Sequence, residues 1–201
     1  MRGNCINSRQ GRLVQLLNTP QRYGVVAKAL HWSVVAVFLF QYVAALMMLN
    51  TRPEETTLGF SQATLYNWHK SMGLVGLLLA TIRLTWRKLT PLPDWAPCLS
   101  EGERRYCHGV ETLLYAGMIV MPISGYLYVM AGGYGVHLFS SVHLANPIGK
   151  NELIAVAAKW THIVAAYALL VAIAGHVGLV LKHQLIRKNR LLQRMLPFGR
   201  P

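Results

Sequence analysis

Charge is scarce in this 201-residue chain: 13% of residues are Asp, Glu, Lys or Arg, against about 25% in an average soluble domain. Acidic residues are scarcest, seven against twenty Lys plus Arg. The three cysteines, Cys5, Cys98 and Cys107, form no CxxC pattern, and an odd count fits poorly with an extracellular disulfide framework. No apolar segment begins near the first residue, which argues against a cleaved signal peptide. Internal repeats and low-complexity runs are also missing.

What remains is apolar and basic. Hydrophobic residues make up 53% of the chain and the formal net charge is +13. Such apolar content excludes disorder. A nucleic-acid binder would carry its basic residues on a polar face, so that class is not expected. The combination indicates a membrane protein whose charges crowd outside the bilayer.

Four apolar stretches are each long enough to cross a hydrocarbon core of about 30 Å. They run over about 29–49, 68–86, 108–131 and 159–181. Residues 51–67, 90–105 and 132–152 read as loops, the last one Gly-rich and irregular. Pro122, followed by Gly125, predicts a kink in the third stretch. The expected fold is an all-α, four-helix transmembrane bundle. A basic segment (1–24) precedes the bundle (25–181), and a basic tail (182–201) follows it. The tail reads as a helix to about Leu196. Its Leu191, Leu192, Met195, Leu196 and Phe198 interleave with charges, as in an amphipathic helix on an anionic leaflet.

Lys and Arg are distributed unequally. Sixteen fall at one end: Arg2, Arg9, Arg12, Arg22, Lys28, Arg83, Arg87, Lys88, Arg104, Arg105, Lys182, Arg187, Lys188, Arg190, Arg194 and Arg200. Arg52, Lys70, Lys150 and Lys159 fall at the other. By the positive-inside rule both termini are cytoplasmic, in a multi-pass protein of the bacterial inner membrane. The cysteines then lie on or near the reducing side, and no disulfide is expected.

Eight histidines are many for so apolar a chain. Four fall inside the predicted helices at two depths. His69 and His162 open the second and fourth helices at the outer face. His31 and His176 lie near the cytoplasmic face. His162 and His176 are fourteen residues apart, about 21 Å along one helix and nearly on one face. Ala165, Leu169 and Ala172 lie along that face, and Gly73 and Gly76 lie below His69. Small residues beside paired imidazoles leave room for a flat ligand, as in bis-His ligation of b-type haem at two levels. The competing reading is hydrogen-bonded core histidines. A zinc or copper site would need three or four donors at one depth. Trp32, Trp68, Trp86 and Trp160 sit at helix ends as an aromatic belt would.

Arg83 falls fourteen residues after His69, at the depth of the inner pair, where it could meet a haem propionate. Lys70 and Lys159 flank the outer pair and could bind propionates or steer an anionic substrate. His108 and Glu111 lie near the cytoplasmic end of the third helix. An ionisable residue inside a membrane helix is a functional candidate, while pairing of Glu111 with a cytoplasmic basic group is the structural alternative. His137, His143 and His183 read as solvated surface.

The ordered pieces "LHW" (30–32), "WHKSMG" (68–73) with Arg83, "LLYAGMIVMPISGYL" (113–127), His162 with His176, and "KHQLIRKNRLLQRMLP" (182–197) resemble the bacterial cytochrome b561 family. The chain is similar, too, to cytochrome b subunits of membrane hydrogenases. The resemblance covers about residues 22–197. It implies two b haems (iron) with His31, His69, His162 and His176 as axial ligands. It also implies single-electron traffic between a periplasmic donor and ubiquinone. Some members similar in plan oxidise superoxide at the outer haem. Two positions depart from the family pattern: Glu111, where many members have His, and Asn189, where Asp is common.

Function can be read in three ways. The chain is a self-contained cytochrome linking an outer donor, superoxide among the candidates, to ubiquinone near His108, Glu111 and Arg83. Alternatively, it is the haem-bearing anchor subunit of a larger dehydrogenase. A haem-free transporter is the third reading. Whether the chain is an oxidoreductase or only an electron carrier stays open, and the expected partners are lipid and quinone, with a second copy in a homodimer as a further candidate.

Overall fold

The computed structural model describes residues 15–189 and 191–197. Arg2, Cys5, Arg9, Arg12, Arg190, Phe198 and Arg200 lie outside the described residues.

Four long helices form the body: α1 (Val25–Asn50), α2 (Gln62–Leu89), α3 (Glu101–Ala131) and α4 (Glu152–Leu181). α1 packs on α2, α2 on α3, and α3 most extensively on α4. Tyr42 Oη bridges α1 to α4 by donating to the Ala166 carbonyl at 2.7 Å. The described residues before α1 and after α4 meet at the same end of the bundle, the one rich in Lys and Arg.

α1, α3 and α4 are long and apolar enough to span a bilayer. α2 is the polar member, carrying Lys70, Arg83, Arg87 and Lys88, and it packs between α1 and α3. Burial follows membrane rather than aqueous logic. Leu39, Leu46, Leu78, Tyr167 and Val171 face outward at 60–71% exposure, while Ala44, Ser71, Ala80 and Ala172 are at most 3% exposed. Small residues at the contacts let helix backbones approach closely where no hydrophobic force separates helix from lipid.

Three helices start earlier than their apolar stretches because polar residues cap them. Ser61 accepts from Thr64 N before α2, and Asn151 accepts from Ile154 N before α4. Ser100 and Glu103 form a reciprocal capping box at the start of α3. Each satisfies backbone donors that a helix terminus would otherwise leave free. α3 runs on through Pro122.

The outer loops are more ordered than the sequence suggested. β1 (Thr56–Thr57) pairs with β2 (Phe60–Ser61), and β3 (Val136–Leu138) pairs antiparallel with β4 (Val142–Leu144). The region read as irregular thus holds a hairpin, and it packs on α2.

The tail is the main correction. It does not continue as one helix to Leu196. α4 ends in a π turn, Lys182–Ile186, the chain reverses at Lys188 (φ 52°), and a short 3-10 turn follows at Leu191–Arg194. Tertiary bonds override the helical pattern. Lys28 Nζ donates to Leu196 O at 2.9 Å and Trp32 Nε1 to Met195 O at 2.9 Å. Arg194 Nη2 donates to Asp94 O at 2.7 Å. The tail is therefore folded against α1 and the α2–α3 loop, and Trp32 is bonded to it rather than serving only as an interfacial anchor.

The segment before α1 is pinned as well. Asn18, 8% exposed, accepts from Gly24 N and donates to Pro91 O, both at 2.9 Å. A Cβ on Gly24 would overlap the Leu16 and Leu17 backbone, which cannot swing aside as a side chain could. Gly24→Ala is expected to destabilise the protein by about 1–3 kcal/mol, seen as a lower Tm in detergent.

Candidate functional site

α4 supplies one histidine at each level, and its partners come from two different helices. At the outer level the His162 ring faces His69 of α2, with ring centroids 6.3 Å apart. At the inner level His176 faces His31 of α1, again at 6.3 Å. The two pairs expected from sequence meet as expected. Each separation leaves room between the rings for one metal ion at imidazole bonds of about 2 Å.

The outer pair lines a cleft between α1, α2, α3 and α4. Its walls include Gln41, Gly73, Gly76, Met121, Gly125 and Val136, and about 930 Å³ of atom-free space lies within it, counted out to its open side. His162 Nδ1 sits 2.8 Å from the Met121 carbonyl. A carbonyl can only accept, so Nδ1 carries the proton and Nε2 keeps its lone pair free as a ligand. Gly125 makes the seat: a Cβ there would stand 2.9 Å from His162 Nδ1 and Cε1. Across the cleft, His69 Nδ1 is buried without a hydrogen-bond partner.

The slot beside His69 is real, but Gly73 and Gly76 also serve packing. Their absent side chains admit Gln41 and Val37 of α1. Leu169, expected with Ala165 and Ala172 along the ligand face of α4, instead packs on α3. Leu169 is 1% exposed and fills the notch left by Gly117 of α3.

At the inner level His31 is half-buried and His176 is exposed. Arg83 lies close enough for its charge to act on both rings. Its Nη1 is buried without a hydrogen-bond partner. A guanidinium nitrogen left bare in a low-dielectric interior calls for an anionic oxygen. Together, facing imidazoles at two levels, a free Nε2, a roomy apolar cleft and an orphan guanidinium fit b-type haem. Among the described residues no group of three or more His, Cys, Asp or Glu could hold a metal ion.

Glu111 is engaged by a basic residue of the same end, as the structural alternative expected, and the partner is Arg87. Arg87 clamps it in bidentate fashion, Nη1–Oε1 at 2.8 Å and Nη2–Oε2 at 2.9 Å. Arg83 and Arg87 both lie over the Tyr115 ring, at 5.8 and 5.5 Å. Tyr23, just outside α1, belongs to this cluster: burial, and after it the Glu111 charge, push its phenol up from the ordinary value. No local signal could have paired Tyr23 with Glu111, because they are distant in the chain. His108 is exposed on α3.

Lys70 is partly spent, since its Nζ donates to Gly135 O at 3.1 Å while lining the outer cleft. Lys159 is exposed at the outer end of α4. His183, read as solvated, is 1% exposed. Its Nε2 lies 3.3 Å from Glu103 Oε1, and Asn189 Nδ2 donates to its Nδ1 at 2.7 Å. Lys182 pairs with the same carboxylate at 2.8 Å. The folded-back tail buries His183, a contact that helical periodicity cannot reveal. Of the cysteines, Cys98 is exposed and Cys107 half-buried, both as free thiols.

Comparison with known proteins agrees with this geometry. The profile of the family described as prokaryotic cytochrome b561 matches residues 22–198. The chain is 29% identical over 182 residues to cytochrome b561 homolog 2 of Escherichia coli (strain K12), covering 89% of this chain and 93% of that protein. A match over nearly the whole bundle, on a helical membrane fold with facing histidines, makes this chain a haem-binding membrane electron-transfer cytochrome that belongs to the prokaryotic cytochrome b561 family.

Proposed function

We propose that the chain is a diheme cytochrome of the inner membrane that links an outer-side electron donor to ubiquinone. The observation that carries this reading is the pairing of α4 with two helices at two levels, His162 with His69 and His176 with His31, each at 6.3 Å. When bound, two b haems supply one-electron transfer between the two faces of the membrane.

The protein's own residues do the rest. His31, His69, His162 and His176 would hold the haem irons. The Met121 carbonyl holds the His162 ring in the tautomer that presents Nε2. Arg83, whose Nη1 is buried without a partner, would meet a propionate at the inner level. Lys70 and Lys159 raise the local concentration of an anionic donor at the outer face; superoxide is an anion of suitable size. Lys70 does so while holding Gly135.

Quinone reduction consumes protons, and the cytoplasmic end of α3 offers Glu111, held by Arg87 with Tyr23 nearby. Glu111 carries the proton toward the quinone and Arg87 orients it, while His108, exposed one turn away, contacts the quinone headgroup. The test is ubiquinone-analogue reduction by the purified chain, with superoxide and other donors supplied in turn. Glu111→Gln is expected to slow quinone reduction about tenfold or more, with the haem spectrum unchanged. An unchanged rate would move the quinone site elsewhere. Activity confined to preparations holding a second redox subunit would replace this reading with that of an anchor subunit.

A further inference from the structure

Two histidines take no part in the paired sites described above. His137 and His143 lie on the β3–β4 hairpin at the outer surface, directly opposite each other in the antiparallel register. Both are exposed. Their ring centroids are 4.7 Å apart, closer than in either internal pair. Neither ring has a hydrogen-bond partner among the described residues, so their nitrogens are available. As two imidazolium ions they would repel across the strands. As neutral rings they carry lone-pair nitrogens, and a 4.7 Å centroid separation suits two imidazoles bound side by side to one ion.

The hairpin beneath them is held firmly. Ser71, 0% exposed on α2, accepts from Phe139 N at 2.9 Å, and its hydroxyl proton is shared between Asn67 O at 2.9 Å and His137 O at 3.3 Å. Lys70 Nζ holds Gly135 O at 3.1 Å, and the Asn67 amide group lies 2.7 Å from Ser140 Oγ in the turn. All three anchors come from the turn of α2 around His69. The donors therefore sit on a preorganised scaffold, which lowers the ordering cost of binding.

We propose that His137 and His143 form a surface site for a divalent first-row transition-metal ion, with Cu²⁺ the tightest occupant. Neutral imidazole suits copper, nickel and zinc, and affinity at such nitrogen sites peaks at Cu²⁺. No third His, Cys, Asp or Glu joins the pair among the described residues. The remaining coordination positions go to water, which fits tetragonal copper better than a closed structural zinc site. The ion bridges β3 and β4, and Val136 of β3 also lines the outer cleft. Occupancy thus staples the hairpin that roofs that cleft.

The test uses tag-free, haem-loaded protein in detergent, titrated with Cu²⁺ alone. Calorimetry is expected to show one tight ion per chain, and electron paramagnetic resonance nitrogen couplings from two imidazoles. His137→Ala and His143→Ala are each expected to weaken binding at least tenfold, with haem content unchanged because both side chains are exposed. Hairpin amides should exchange more slowly on adding Cu²⁺ to the unsubstituted protein and not in either variant. Equal Cu²⁺ binding in all three proteins, or weak binding at many sites, would overturn the proposal.

Discussion

His162→Ala is expected to halve the haem content, removing the outer haem and sparing the inner one. His176→Ala should do the reverse. The expectation follows from the way α4 shares its histidines: His162 meets only the ring of α2, and His176 meets only the ring of α1. The two sites are about 21 Å apart along the helix, so loss of one should not disturb the axial ligands of the other. A pyridine haemochrome assay gives the content, and a redox titration shows which of two midpoint potentials disappears. If either variant kept its full haem complement, the ligand assignment would be wrong.

Gly125→Val tests the seat of His162 instead of the ligand itself. The position leaves His162 Nδ1 and Cε1 only 2.9 Å from where a Cβ would stand. Valine must push the ring off its bond to the Met121 carbonyl and misdirect Nε2. Overpacking of about 1–3 kcal/mol, or roughly 5–150-fold in affinity, is expected at the outer site alone. Gly109→Ala, on the same helix with nothing within 4 Å of its Cβ position, is the matched control and should be neutral. Equal haem retention in both variants would show that α3 yields at this point and that the seat is not rigid.

Much of the site could be read from spacing because helices impose their own ruler. Fourteen residues between His162 and His176 place both at nearly one azimuth, and the direction of each crossing gave His31 and His69 their depths. Contacts across the bundle were harder to read. Glu111 stood out as an ionisable residue inside a helix, but Arg87 could not be picked out from the other basic residues at that end. Gly125 looked like an accessory to the Pro122 kink, and only the approach of α4 shows it as the seat of His162. Lys70 looked like a free cation until the hairpin brought Gly135 O to it.

The tail shows why local pattern fails at an element's end. Residues 182–196 carry a helical pattern, yet Lys28, Trp32 and Asp94 offer tertiary hydrogen bonds. A helix propensity difference is a few tenths of a kcal/mol per residue, and such bonds readily outweigh it. Burial of His183 follows from the same fold-back.

By itself, the sequence determined a helical membrane protein, the end where Lys and Arg crowd, and the two levels at which four histidines lie. Those properties follow from hydropathy, the distribution of Lys and Arg, and the 1.5 Å rise per residue, all local or additive along the chain. The tertiary structure alone decided that Arg87 holds Glu111, that Gly125 seats His162, that Val136 of β3 lines the outer cleft, and that the tail folds back. Each of these depends on residues far apart in the chain meeting in one place, and helical periodicity fixes a residue's face but not what lies across from it.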